Sequence, residues 1–93
     1  MKAMWNGTVL AESEKTIVVE NNHYFPPEAV NRQFFESSPT PYHCSWKGDC
    51  QYYDVVVAGQ RNKDAAWTYP DTLPKAKYIE NYVAFWKGVQ VTP

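Results

Sequence analysis

The chain has no run of lysine or arginine, no long apolar stretch, no C-x-x-C pair and only two cysteines, Cys44 and Cys50, in 93 residues. Each absence excludes something. Nine Lys and Arg are scattered among ten Asp and Glu, for a net charge of −1. That balance gives no basic face for phosphate, so nucleic acid is not an expected partner. No apolar segment is long enough to span a bilayer, so no membrane partner is expected. Met1-Lys2-Ala3-Met4 is not followed by a signal-peptide core, and the chain reads as cytoplasmic. In that compartment Cys44 and Cys50 are expected to be free thiols. Repeats, linkers and low-complexity segments are also missing, and the length fits one domain, residues 1–93.

The signatures of several chemistries are missing as well. Nucleotidyl transfer needs two carboxylates to hold Mg²⁺ and a backbone cradle for the phosphates. Asp49, Asp54, Asp64 and Asp71 are isolated in the sequence, and neither G-x-x-x-x-G-K-[ST] nor G-x-G-x-x-G occurs. His23, His43, Cys44 and Cys50 carry the atoms zinc prefers, but structural zinc takes ligands from tight knuckles, and five residues separate the cysteines. No metal and no cofactor is expected.

Aromatic residues are plentiful: four Trp, seven Tyr and four Phe. Such side chains bury large areas and let a small domain close a core. Asn6-Gly7 between Met1–Trp5 and Thr8–Ala11 is a strong hairpin signal. Thr16–Glu20, His23–Phe25, Tyr42–Trp46, Gln51–Ala58, Ala65–Tyr69, Tyr82–Trp86 and Val89–Val91 read as further strands. Gly59–Asp64 reads as a polar turn, Glu36–Pro41 as a loop, and Pro70 as a strand stop. Two short helices are expected. One covers Glu28–Phe35, with Val30 and Phe34 one turn apart, and the other Pro74–Asn81. The resulting class is mainly β, with antiparallel sheets packed as two layers or a partly open barrel.

Thr40–Cys50 gathers more reactive groups than any other stretch. Cys44, with His43 beside it, is the candidate nucleophile, but it would need a nearby cation to lower its pKa. The competing reading is a small core hydrophobe, a common use of free cysteine. The candidate binding site has Tyr24, Trp46, Trp67 and Tyr69 as walls and Lys47 and Arg32 as polar anchors. Gly48 would let a ligand approach the backbone. Trp67 and Tyr69 share a strand face by the two-residue period. The geometric expectation is that the Lys47-Gly48 corner lies beside Trp67-Thr68-Tyr69, with a hollow between them.

Trp5-Asn6-Gly7…Leu10-Ala11, Tyr24-Phe25-Pro26…Val30, Cys44-Ser45-Trp46-Lys47-Gly48, Trp67-Thr68-Tyr69-Pro70 and Val83-Ala84-Phe85-Trp86 occur in that order. This set resembles the bacterial family known as domain of unknown function 427, over nearly the whole chain. Some collections file that family as a nucleotidyltransferase domain. The resemblance implies a β-tent fold, similar to the Mss4-like group, and no established activity. The sequence departs from the family pattern at Pro27, where a basic residue is common, and at Cys50, where a small apolar residue is usual. The expected function is that of a small binding or accessory domain with an aromatic-lined cleft for a small anionic or planar molecule. The alternatives are an enzyme of unknown reaction, thiol-dependent or nucleotide-acting, and a purely structural interaction domain. No sequence feature sets an oligomeric state.

Overall fold

Short apolar runs broken by turn residues every few positions leave little room for helix, and nine strands form. A computed structural model describes residues 1–93. The strands are β1 (Lys2–Trp5), β2 (Thr8–Glu12), β3 (Ile17–Val19), β4 (Asn22–Tyr24), β5 (Phe35–Cys44), β6 (Gly48–Val57), β7 (Gln60–Thr72), β8 (Val83–Phe85) and β9 (Gln90–Thr92). They make three antiparallel sheets in the orders β2-β1-β9, β3-β4 and β5-β6-β7-β8. The fold is mainly β and antiparallel, as expected, and no helix is long and apolar enough to cross a membrane.

Three local expectations fail, each for a backbone reason. The loop expected at Glu36–Pro41 is part of β5, which runs through Pro39 and Pro41. Proline is tolerated there because β5 is the edge of its sheet, and the register slips between Ser37 and Pro41. The polar turn expected at Gly59–Asp64 shrinks to Ala58-Gly59, both at positive φ, and β7 runs from Gln60 past Pro70 to Thr72. β7 accommodates the extra residues at two bulges. One sits opposite Asp49–Gln51 and takes in Pro70. The other sits opposite Tyr53–Val55 and takes in Asp64 at φ 55°. Finally, the first expected helix is two separate 3-10 turns, Pro27–Ala29 and Arg32–Phe34. Val30 between them bridges Ala11, and the Asn31 N–H donates to the Leu10 carbonyl. Tertiary pairing thus overrides the helical spacing of Val30 and Phe34. The second helix forms as a six-residue 3-10 helix, Pro74–Ile79, with proline in its first turn.

The four-stranded sheet separates two cores by strand alternation. On one face Val55, Val57, Ala66, Val83 and Phe85 pack with Phe25, Leu10 and Ala3 beneath the β1-β2 hairpin. On the other, Trp67, Tyr69 and Ala84 pack with Tyr24, Val19, Ala76 and Ile79. Tyr24 and Phe25 are consecutive and serve opposite cores, and Phe25 and Val83 exchange both backbone hydrogen bonds. That bridge fastens the β3-β4 hairpin across β8. It places the hairpin turn over the aromatic face.

Candidate functional site

The second core is open on one side. Tyr24, Tyr42, Tyr52, Trp67, Tyr69 and Trp86 surround a cavity of about 360 Å³ together with Glu20, Asn22 and Lys47. Lys47, Trp67, Tyr69 and Tyr24 therefore share one hollow, and the lysine corner does lie beside the Trp67–Tyr69 strand. Trp46, Gly48 and Arg32 do not line it. Trp46 packs beside the second core, with the Lys47 ammonium 4.9 Å from its ring centre. Arg32 is exposed in its 3-10 turn.

Lys47 precedes the first residue of β6. Its carbonyl accepts from the Leu73 N–H at 3.1 Å, which ties the corner to the end of β7. Gly48 makes that approach possible. Its φ is +111°, and a Cβ there would stand 3.1 Å from the Asp71 carbonyl oxygen. Gly48→Ala should lower stability by about 1–3 kcal/mol through backbone strain alone. Urea unfolding checks this, and an unchanged midpoint would show that the corner can relax.

The Lys47 side chain is only 6% exposed. Its ammonium bonds the Glu20 carboxylate and lies 5.5 Å from the Tyr69 ring centre. Burial pushes its pKa down, but the Glu20 hydrogen bond and the neighbouring Tyr24 outweigh this, and the net shift is upward. Glu20 arrives from the β3-β4 turn, where Glu20 and Asn21 both have positive φ, at 52° and 66°. A two-residue turn of this kind suits asparagine and glycine, so a glutamate there is conformationally costly.

The rings are fixed by one another. The Trp67 indole N–H donates to the Tyr24 hydroxyl at 3.1 Å, and the two rings meet edge to face at 6.1 Å. Trp86 lies parallel to Tyr52 at 6.1 Å and edge-on to Trp67 at 5.4 Å, and its indole N–H donates to the Asp64 carbonyl. Burial raises the pKa of the Tyr24, Tyr52 and Tyr69 hydroxyls, so all three stay protonated well past neutrality.

The thiols sit behind this wall. Cys44 and Cys50 are free, half-buried and packed against the second core. Burial pushes the Cys50 thiol up to about 12. His43 points away to solvent and pairs with Asp49 at 2.7 Å, while His23 bonds Thr16 at 2.9 Å. The four aspartates that are isolated in the sequence fall into two neighbouring pairs in space. Asp54 accepts from the Asp64 N–H and from Arg61, and Asp49 stands directly opposite Asp71. Neither pair lines the cavity.

A family model, domain of unknown function (DUF427), matches residues 1–92. The chain belongs to this family. No curated protein matches it. Of the six rings, Tyr24, Trp67, Tyr69 and Trp86 fall in the ordered segments singled out in the sequence, and Tyr42 and Tyr52 do not. Sequence reasoning missed Tyr42, Tyr52, Trp86, Asn22 and Glu20. The first three carried a usable signal, being large aromatics on or next to strands, but they lie in irregular registers, Tyr42 just past the β5–β6 slip and the other two beside the β7 bulges.

Proposed function

We propose that this protein is a binding or accessory module that takes a small planar molecule into the six-ring cavity. One observation carries the reading: Trp86 and Tyr42 remain 43% and 52% exposed at the cavity mouth although the rings behind them are buried. Core packing alone does not require exposed rings there, whereas apolar walls with a few placed polar groups are what small-molecule sites use. The cavity lies near the lower end of such sites, which run from about 300 to 1,000 Å³. It suits one fused pair of rings. The net charge of −1 and the two free thiols support a cytoplasmic module that does not bind nucleic acid.

Thermal shift and tryptophan fluorescence against flat aromatic probes, with nucleotides with and without Mg²⁺ as a separate arm, test this. A flat probe at 100 times its Kd should stabilise the fold by about 2.7 kcal/mol, a rise on the order of 10 °C in Tm. Trp67 and Trp86 emission should change with it. Flat probes that leave both signals unmoved would overturn the reading.

A further inference from the structure

The two charges in the cavity are not equivalent. Lys47 is the fixed member. Its side chain is 6% exposed, held between the Trp46 and Tyr69 rings and tied by its own carbonyl to Leu73. Glu20 is the loose member. Its side chain is 59% exposed on a tight turn, and Lys47 is its one ionic partner. A buried ammonium requires an anion beside it. Nothing in the packing requires that anion to be the carboxylate of Glu20.

The remaining polar groups favour the same kind of occupant. An ammonium has three donor protons, and Lys47 makes a single side-chain hydrogen bond, to Glu20. The Tyr24 hydroxyl accepts from Trp67, which leaves its own proton to donate. Asn22 and the other tyrosines add donors around the rings. An incoming anion meets a fixed cation and unused donors. An incoming cation meets a carboxylate that is already neutralised. We infer that the ligand is an aromatic carboxylate whose carboxylate takes the place Glu20 holds on Lys47, while its rings lie among Tyr52, Trp67 and Trp86. This rests on the reading of the cavity as a planar-ligand site and adds the ligand's charge and Glu20's part as an internal competitor.

Isothermal calorimetry with 2-naphthoate and 2-naphthamide on the full chain separates the two levels. Naphthoate should bind the wild type at least tenfold more tightly than the amide. Glu20→Gln keeps the turn's size and shape but weakens the competitor. It should tighten naphthoate about two- to fivefold, the worth of a partly exposed ion pair, and leave naphthamide unchanged. Lys47→Met should weaken naphthoate about 10- to 100-fold. If that variant fails to fold, the Glu20→Gln result decides alone. Equal binding of the acid and the amide overturns the inference and leaves the planar-ligand site standing. Weaker naphthoate binding in Glu20→Gln overturns it too, as does tetramethylammonium binding that Glu20→Gln abolishes. Binding of neither naphthalene removes the site reading as well.

Discussion

Trp67→Ala should lose about 3–5 kcal/mol of stability, the usual cost of deleting a buried large aromatic side chain. Trp67 is 8% exposed and joins both halves of the aromatic wall, meeting Tyr24 on one side and Trp86 on the other. Its removal opens a hole and also leaves the buried Tyr24 hydroxyl without its donor. For a domain whose whole stability is about 5–15 kcal/mol, that is a large share. Trp67→Phe separates the two contributions. It keeps a ring in the wall and should cost about 1–3 kcal/mol, chiefly the unmet hydrogen bond. Urea midpoints of the two variants give the comparison. If they coincide, the indole N–H matters and the ring does not, contrary to the packing argument.

Alkali should unfold the protein cooperatively. Cys50, Tyr24, Tyr52 and Tyr69 all hold their protons more tightly folded than unfolded, because burial disfavours their anions. The folded state then binds more protons than the unfolded state once pH exceeds the ordinary values, 9.0 for the thiol and 10.0 for the phenols. Stability must therefore fall as pH rises through that window. Lys47 adds the same sign. Its pKa lies above the ordinary 10.5, so the pair with Glu20 is fully present below that value and is lost as pH climbs past the folded one. The expected result is a Tm that is flat near neutrality and drops steeply between pH 9 and 12. Cys50→Ala, which removes one of these four groups, should move that drop to higher pH. A Tm that holds level to pH 12 would show that these groups titrate in the folded protein as freely as in the unfolded chain.

How much of this could be read in the residues differs from element to element. The Asn6-Gly7 hairpin was plain, because positive φ at both turn positions is a local requirement that those residues satisfy, and Asn6 and Gly7 do sit at 52° and 71°. The shared facing of Trp67 and Tyr69 followed from strand alternation, and the nearness of Lys47 followed from strand pairing. Glu20 was invisible as its partner. The pair spans 27 positions and depends on how the β3-β4 hairpin is fastened across β8. The first helix misled because Val30 and Phe34 have helical spacing, yet Val30 serves a bridge to Ala11. Tyr52 and Trp86 stack across β7, where Tyr52 stands opposite Trp67 and Trp67 opposite Ala84, two residues before Trp86, a register flanked by bulges that no local residue pattern marks.

Pro39 and Pro41 lie in β5, the outer border of the largest sheet. Neither has an N–H to offer, so a foreign strand laid along that border would find gaps in the ladder it needs. The opposite border, β8, is only three residues long and is occupied by Phe25 through Val83. The main sheet is thereby barred from growing by strand addition on either side. A small protein so rich in β structure and exposed rings is thereby spared one route to fibril growth, strand addition along its largest sheet.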